Sequence, residues 1–109
     1  SETKLLKGLE IGCSGIISAI CNVTAPLARK VYDDFYNKKK QIFNNKLCAV
    51  RSTFDSYNLI SGLHSFMSEE NEKFKRILPP LNLLTEKEKT RLMLKLKELE
   101  FFPEKNIVA

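Results

Sequence analysis

The residues that could do chemistry are few and scattered. Cys13, Cys21 and Cys48 show no Cys-x-x-Cys spacing and have no histidine beside them, so no metal ligand set is assigned. Their odd number favours a reducing compartment, the cytoplasm, and they read as small buried apolar side chains. His64 is the single histidine. It lies between Leu63 and Ser65, with no acid or cysteine at ligand spacing, and reads as a half-buried helix histidine. For Asn37-Lys38-Lys39-Lys40 to hold a phosphate it would need a Gly-rich loop or aromatic partners around it; the run reads instead as a solvated turn and helix start. There is no Ser-His-Asp arrangement, carboxylate pair, phosphate loop or dinucleotide fingerprint. No catalytic residue is assigned within the chain, and no cofactor is implied.

One stretch is organised differently. Gly12-Cys13-Ser14-Gly15-Ile16-Ile17-Ser18-Ala19-Ile20-Cys21-Asn22-Val23-Thr24-Ala25-Pro26 is an apolar run entered through two glycines and left through a polar turn. Its small and β-branched residues predict a short buried strand. A helix should follow, with Thr24 as N-cap and Pro26 in the first turn. A strand buried on both faces needs neighbours, and no second strand pattern exists in the chain. The stretch therefore predicts a piece of a larger fold. Left alone, Gly15 to Cys21 is expected to self-associate or to turn helical.

The pattern Gly-x-x-Gly-apolar-Ile-Ser-x-x-x-Asn-Val-x-x-Pro resembles the eighth strand and following turn of the dihydrodipicolinate synthase / N-acetylneuraminate lyase family of class I aldolases. Leu78-Pro79-Pro80-Leu81-Asn82-Leu83-Leu84, then Thr85-Glu86-Lys87-Glu88-Lys89 and a closing helix, resemble that family's C-terminal tail. The resemblance implies the C-terminal part of a (β/α)₈ barrel, since a whole barrel takes about 250 residues and the chain has 109. Residues 1–37 would end the barrel and 38–109 would be a helical extension. The implied activity of the intact protein is Schiff-base aldol addition or cleavage with pyruvate or another 2-oxo acid, in a homo-oligomer. The family's lysine, proton-relay tyrosine and carboxylate-binding turn would all precede Ser1, leaving this segment inactive alone. At the C-terminal end of strand eight, Ser18, Ala19 and Ile20 would approach the substrate and Asn22 would sit at the rim. Some sialic-acid-cleaving relatives carry a substrate-contacting serine where Ala19 stands, and a threonine is often found where Ile20 stands. The first difference argues against a polyhydroxylated sugar-acid substrate, and the second makes the pocket wall more apolar. On local grounds the same residues could simply pack, with Asn22 satisfying backbone groups in its turn.

The elements that must position these residues are helical. Leu5, Leu6 and Leu9 mark a short helix over 4–10. Leu27, Val31 and Phe35, spaced by four, predict an amphipathic helix to about Tyr36. Phe43, Leu47, Val50, Phe54 and Tyr57 form one stripe over 41–57, and Leu59, Ile60, Leu63 and Phe66 a further helix to Met67, with a break around 55–58. Residues 68–75 read as a loop or short turn. Pro79-Pro80 forces an extended crossing. Thr85 and Glu88 fit a capping box for a last helix to about Leu99, with Leu92, Leu96 and Leu99 facing inward.

The fold class expected is therefore mainly α for the chain by itself, and part of an α/β barrel for the whole protein. Net charge is +5. Much of the positive charge alternates with glutamate on the last helix, so neither nucleic acid nor a membrane is expected as partner. Two rivals to the aldolase reading stay open: a free-standing helical interaction or regulatory module, and a small basic nucleic-acid binder.

Overall fold

The computed structural model describes residues 1–103. Among these residues there are five α-helices and no strand, so the chain is mainly α. It forms two compact units, Ser1–Arg51 and Ser52–Ala109. The boundary expected at 37/38 falls inside the first, in a turn between two helices.

In the first unit a 3₁₀ turn, Glu2–Lys4, runs into α1, Leu5–Glu10. Leu5 and Leu9, one turn apart, are buried, as their spacing requires. The helix stops at Gly12. With φ at +101°, Gly12 occupies a conformation that disfavours any residue with a Cβ. Its amide bonds the Leu9 carbonyl, and the Cys13 amide reaches back to Gly8, at 3.1 and 2.9 Å. This is a Schellman termination, so Gly12 ends a helix instead of opening a strand.

The expected strand through Gly15–Cys21 is not formed. Residues 13–18 have no regular structure, because a doubly buried strand needs ladder partners and the described residues supply none. Ile17 is fully exposed at 101%, Ile16 is half-buried, and Ile20 is completely buried. Conversion to helix takes place only from Cys21 onward, where α2, Cys21–Tyr36, begins.

The start of α2 also corrects the expected cap. Thr24 is inside the helix, and its Oγ1 donates to the Ile20 carbonyl at 3.1 Å. Pro26 consequently lies in the second turn. Its missing N–H leaves the Asn22 carbonyl without a helical partner; Asn22 is exposed, so solvent can take that bond. Val23, Leu27, Ala28 and Val31 are the buried face, which packs on α1. At the far end Lys38 (φ 55°) repeats the α1 ending, with Lys38 and Lys39 amides bonding Phe35 and Asp34 carbonyls. Lys38–Lys40 are an exposed turn, and the next helix, α3, starts later than expected, at Asn44–Asp55. Leu47 and Val50, on the predicted stripe, are fully buried.

The second unit begins in the last residues of α3, where Phe54 is fully buried. The predicted break appears at 56–58, and α4, Leu59–Met67, follows with Asn58 as its N-cap. Phe54 meets Phe66 edge-on at 5.6 Å, and Phe66 stacks on Phe101 at 5.7 Å. Gly62 lies against the Phe54 ring, where a Cβ would make ordinary contact with Cδ1 at 3.4 Å. A 3₁₀ turn, Glu72–Lys75, packs on α4. Residues 76–85 cross irregularly through a cis Pro79–Pro80 peptide, with Leu81, Leu83 and Leu84 half-buried. The buried Ser65 hydroxyl accepts the Leu84 amide at 3.0 Å.

The last helix, α5, is Glu86–Glu98, opened by the expected capping box. Thr85 Oγ1 accepts the Glu88 amide at 3.2 Å and Glu88 Oε1 accepts the Thr85 amide at 3.0 Å. Leu92 and Leu96 are fully buried, whereas Lys87, Arg91, Lys95 and Glu98 face water. Glu100 (φ 56°) gives this helix the same left-handed ending, with the Phe101 amide on the Leu96 carbonyl.

Candidate functional site

Ser18, Ala19, Ile20 and Asn22 occupy the irregular run and its junction with α2, and they do different things. The Ala19 carbonyl accepts both the Asn22 amide, at 3.1 Å, and the Asn22 side-chain Nδ2, at 2.8 Å. Asn22 thus satisfies backbone groups in its own turn, which any Asn beginning a helix after such a turn could do. Ile20 is a core residue. Its carbonyl takes the Val23 and Thr24 amides and the Thr24 hydroxyl, so burial of Ile20 and the start of α2 are one event. Ala19 is exposed.

Ser18 alone among the four joins a polar cluster drawn from distant parts of the first unit. Its Oγ accepts Arg51 Nη1 at 3.2 Å. The same nitrogen donates to Glu2 Oε2 at 3.0 Å, and the Cys21 thiol donates to Glu2 Oε1 at 3.4 Å. Glu2 is completely buried, and the Arg51 side chain is 15% exposed. Burial by itself would push the Glu2 carboxyl up. Hydrogen bonds from the Ser18 hydroxyl, its own backbone, Arg51 and Cys21 outweigh it and hold the group below the ordinary carboxylate range. The Cys21 thiol moves the other way, raised by burial and by the neighbouring Glu2 carboxylate, and Cys48 is raised by burial and the same charge. Both are thiols at neutral pH, which makes them poor nucleophiles. The three cysteines are unpaired: Cys13 is exposed, Cys21 and Cys48 half-buried.

Sequence reasoning missed Glu2 and Arg51. The two lie 49 positions apart, and neither occupies a motif; an acid at the start of a leucine-rich helix is an ordinary N-terminal charge.

A groove of about 230 Å³ runs beside this cluster, lined by Leu5, Gly15, Ile16, Cys21, Ala25 and Tyr32 among others. None of the four expected residues lines it. Arg29 stands at its edge, paired with Asp33 at 3.0 Å and lying over the Tyr32 ring. In the second unit, a groove of about 320 Å³ along α5 includes the Lys89–Glu69 ion pair. His64 is half-buried in α4, and its Nδ1–H donates to the Phe74 carbonyl at 2.7 Å, which fixes the tautomer. Among the described residues no three His, Cys, Asp or Glu side chains converge to hold a metal ion. No helix among them is long and apolar enough to cross a membrane.

No protein-family model, curated protein or solved structure matches the chain.

Proposed function

We propose that the chain is the C-terminal part of a pyruvate-dependent class I aldolase of the dihydrodipicolinate synthase / N-acetylneuraminate lyase type, contributing one wall of the active site and no reacting group. The observation that carries this reading is the run 12–20. Its composition and spacing resemble those of that family's last barrel strand, and it stands unpaired immediately before an amphipathic helix. The order of the later elements supports it: a helix pair, a Pro-Pro crossing, and a last helix capped by Thr85. On this reading residues 13–20 pair with strands encoded before Ser1, Ser18 and Ala19 face the substrate at the strand's C-terminal end, and Ile20 packs behind them in the core.

The chemistry would be covalent catalysis by a lysine outside this chain. Its amine adds to the ketone of a 2-oxo acid and loses water, giving an iminium. That group accepts the electron pair released when the adjacent C–C bond breaks, or stabilises the carbanion that attacks an aldehyde. The absence of a hydroxyl at Ala19, which is exposed, favours a small or poorly hydroxylated acceptor. The test is borohydride trapping with pyruvate. The protein encoded by the intact reading frame should gain one reduced pyruvate adduct on a lysine outside residues 1–109, and the 109-residue chain alone should gain none. Failure of the intact protein to trap pyruvate or any other 2-oxo acid would reject the reading.

A second reading, a non-catalytic helical interaction module, draws on the exposed large apolar residues Ile11, Ile17, Ile42, Leu78 and Leu94. It takes over if trapping fails.

A further inference from the structure

The run between α1 and α2 is held by very little. Ser14, Gly15, Ile16 and Ile17 make no backbone hydrogen bond to another described residue. Ile16 is half-buried and Ile17 lies in solvent. The run's polar side-chain tether is Ser18, whose hydroxyl accepts from Arg51 Nη1 and bonds the Glu2 carboxylate.

The two halves of that tether differ in kind. The Glu2 carboxylate is completely buried, so water cannot replace Arg51 as its counter-charge. Breaking a buried pair by removing one partner leaves an uncompensated charge and is strongly unfavourable. Ser18 is a neutral hydroxyl on a half-exposed run, bonded to both Arg51 and the Glu2 carboxylate; when it detaches, solvent can take up its own bonds and Glu2 keeps Arg51 as counter-charge. Arg51 is therefore a post fixed by Glu2, and Ser18 is the end that can detach.

We propose that Glu2, Arg51 and Ser18 form a strap: Arg51 is the positioning residue that holds residues 13–18 against the first unit, and the run is released as a unit when Ser18 detaches. The strap does not depend on the aldolase reading. It concerns this chain's own conformation, and pyruvate trapping and the measurement below can fail separately.

The experiment is ¹⁵N relaxation on the full chain, comparing wild type with Ser18→Ala and Arg51→Gln. In the wild type, order parameters at Ser14–Ser18 should stay above about 0.6; in Ser18→Ala they should fall below it, with α2 and α5 unchanged near about 0.85. The Cys21 and Asn22 amides, bonded to the Ser18 and Ala19 carbonyls, should exchange about tenfold faster in Ser18→Ala. Arg51→Gln should release the same residues and in addition loosen the 3₁₀ turn before α1, where Glu2 loses its partner. Wild-type order parameters already below about 0.6 at Ser14–Ser18 would overturn the strap, and so would no change in Ser18→Ala. If Arg51→Gln does not fold, Ser18→Ala decides alone.

Discussion

Glu2 shows how a buried acid can be an asset at one pH and a liability at another. Its carboxyl is held below the ordinary range by Ser18, Arg51 and Cys21 in spite of burial. A group whose pKa is lower folded than unfolded stabilises the protein above its unfolded value and loses that contribution as pH falls through the folded one. Glu2 should therefore contribute fully at neutral pH and progressively less below roughly pH 4.3, the unperturbed glutamate value. Glu2→Gln, unable to ionise, should be less stable than wild type by about 3 kcal/mol at pH 7, and the gap should close on acidification. Urea unfolding of both proteins from roughly pH 3 to pH 7 reads this directly; a gap independent of pH would mean that Glu2 acts through packing alone. None of it was legible in the sequence. Glu2 and Arg51 meet across 49 positions, and a pair that distant leaves no local pattern.

At the scale of elements, local signals were read well and tertiary ones were not. The α5 capping box was visible because Thr85 and Glu88 complete each other within one turn. The stripe through Leu47, Val50 and Phe54 was visible because burial repeats with the helix period. The start of α2 was misread, since it is set by the burial of Ile20 and not by the best capping residue nearby. The strand was misread because composition reports what a segment suits, whereas a strand exists only with a partner. Lys38 was unreadable in another way: lysine carries no turn signal, yet it takes the left-handed position that ends α2. Two expectations follow. Lys38→Gly should raise stability by about 1 kcal/mol by removing the Cβ penalty at that position. Thr85→Ala should lower it by about 1 kcal/mol through loss of half the capping box. Thermal unfolding of the two single variants checks both, and a destabilised Lys38→Gly would show that the lysine side chain itself holds the turn.

For the molecule as a whole, charge is unevenly divided. Residues 1–51 contain nine Lys and Arg against four Asp and Glu, and residues 52–109 contain nine of each, so the whole net charge of +5 belongs to the first unit. The same unit carries the exposed isoleucines at 11, 17 and 42. Its positive charge opposes association of like units while its apolar side chains favour it, and screening by salt removes the first but not the second. Self-association should therefore grow with salt, and Ile17→Lys should suppress it. Sedimentation velocity at low and high salt tests this: a wild type that stays monomeric at both would leave the exposed run without the stickiness its composition implies.

The last helix is delimited at both ends by contacts made within a few residues of its own termini, the Thr85–Glu88 box before it and the left-handed Glu100 after it. Its length is thus written locally, while Leu92 and Leu96 decide only which side is turned inward. The two kinds of information can change independently. Substitutions in the second unit's interior can reshape what α5 rests on without shifting where it starts or stops, so over generations this helix can keep its register while its surroundings drift.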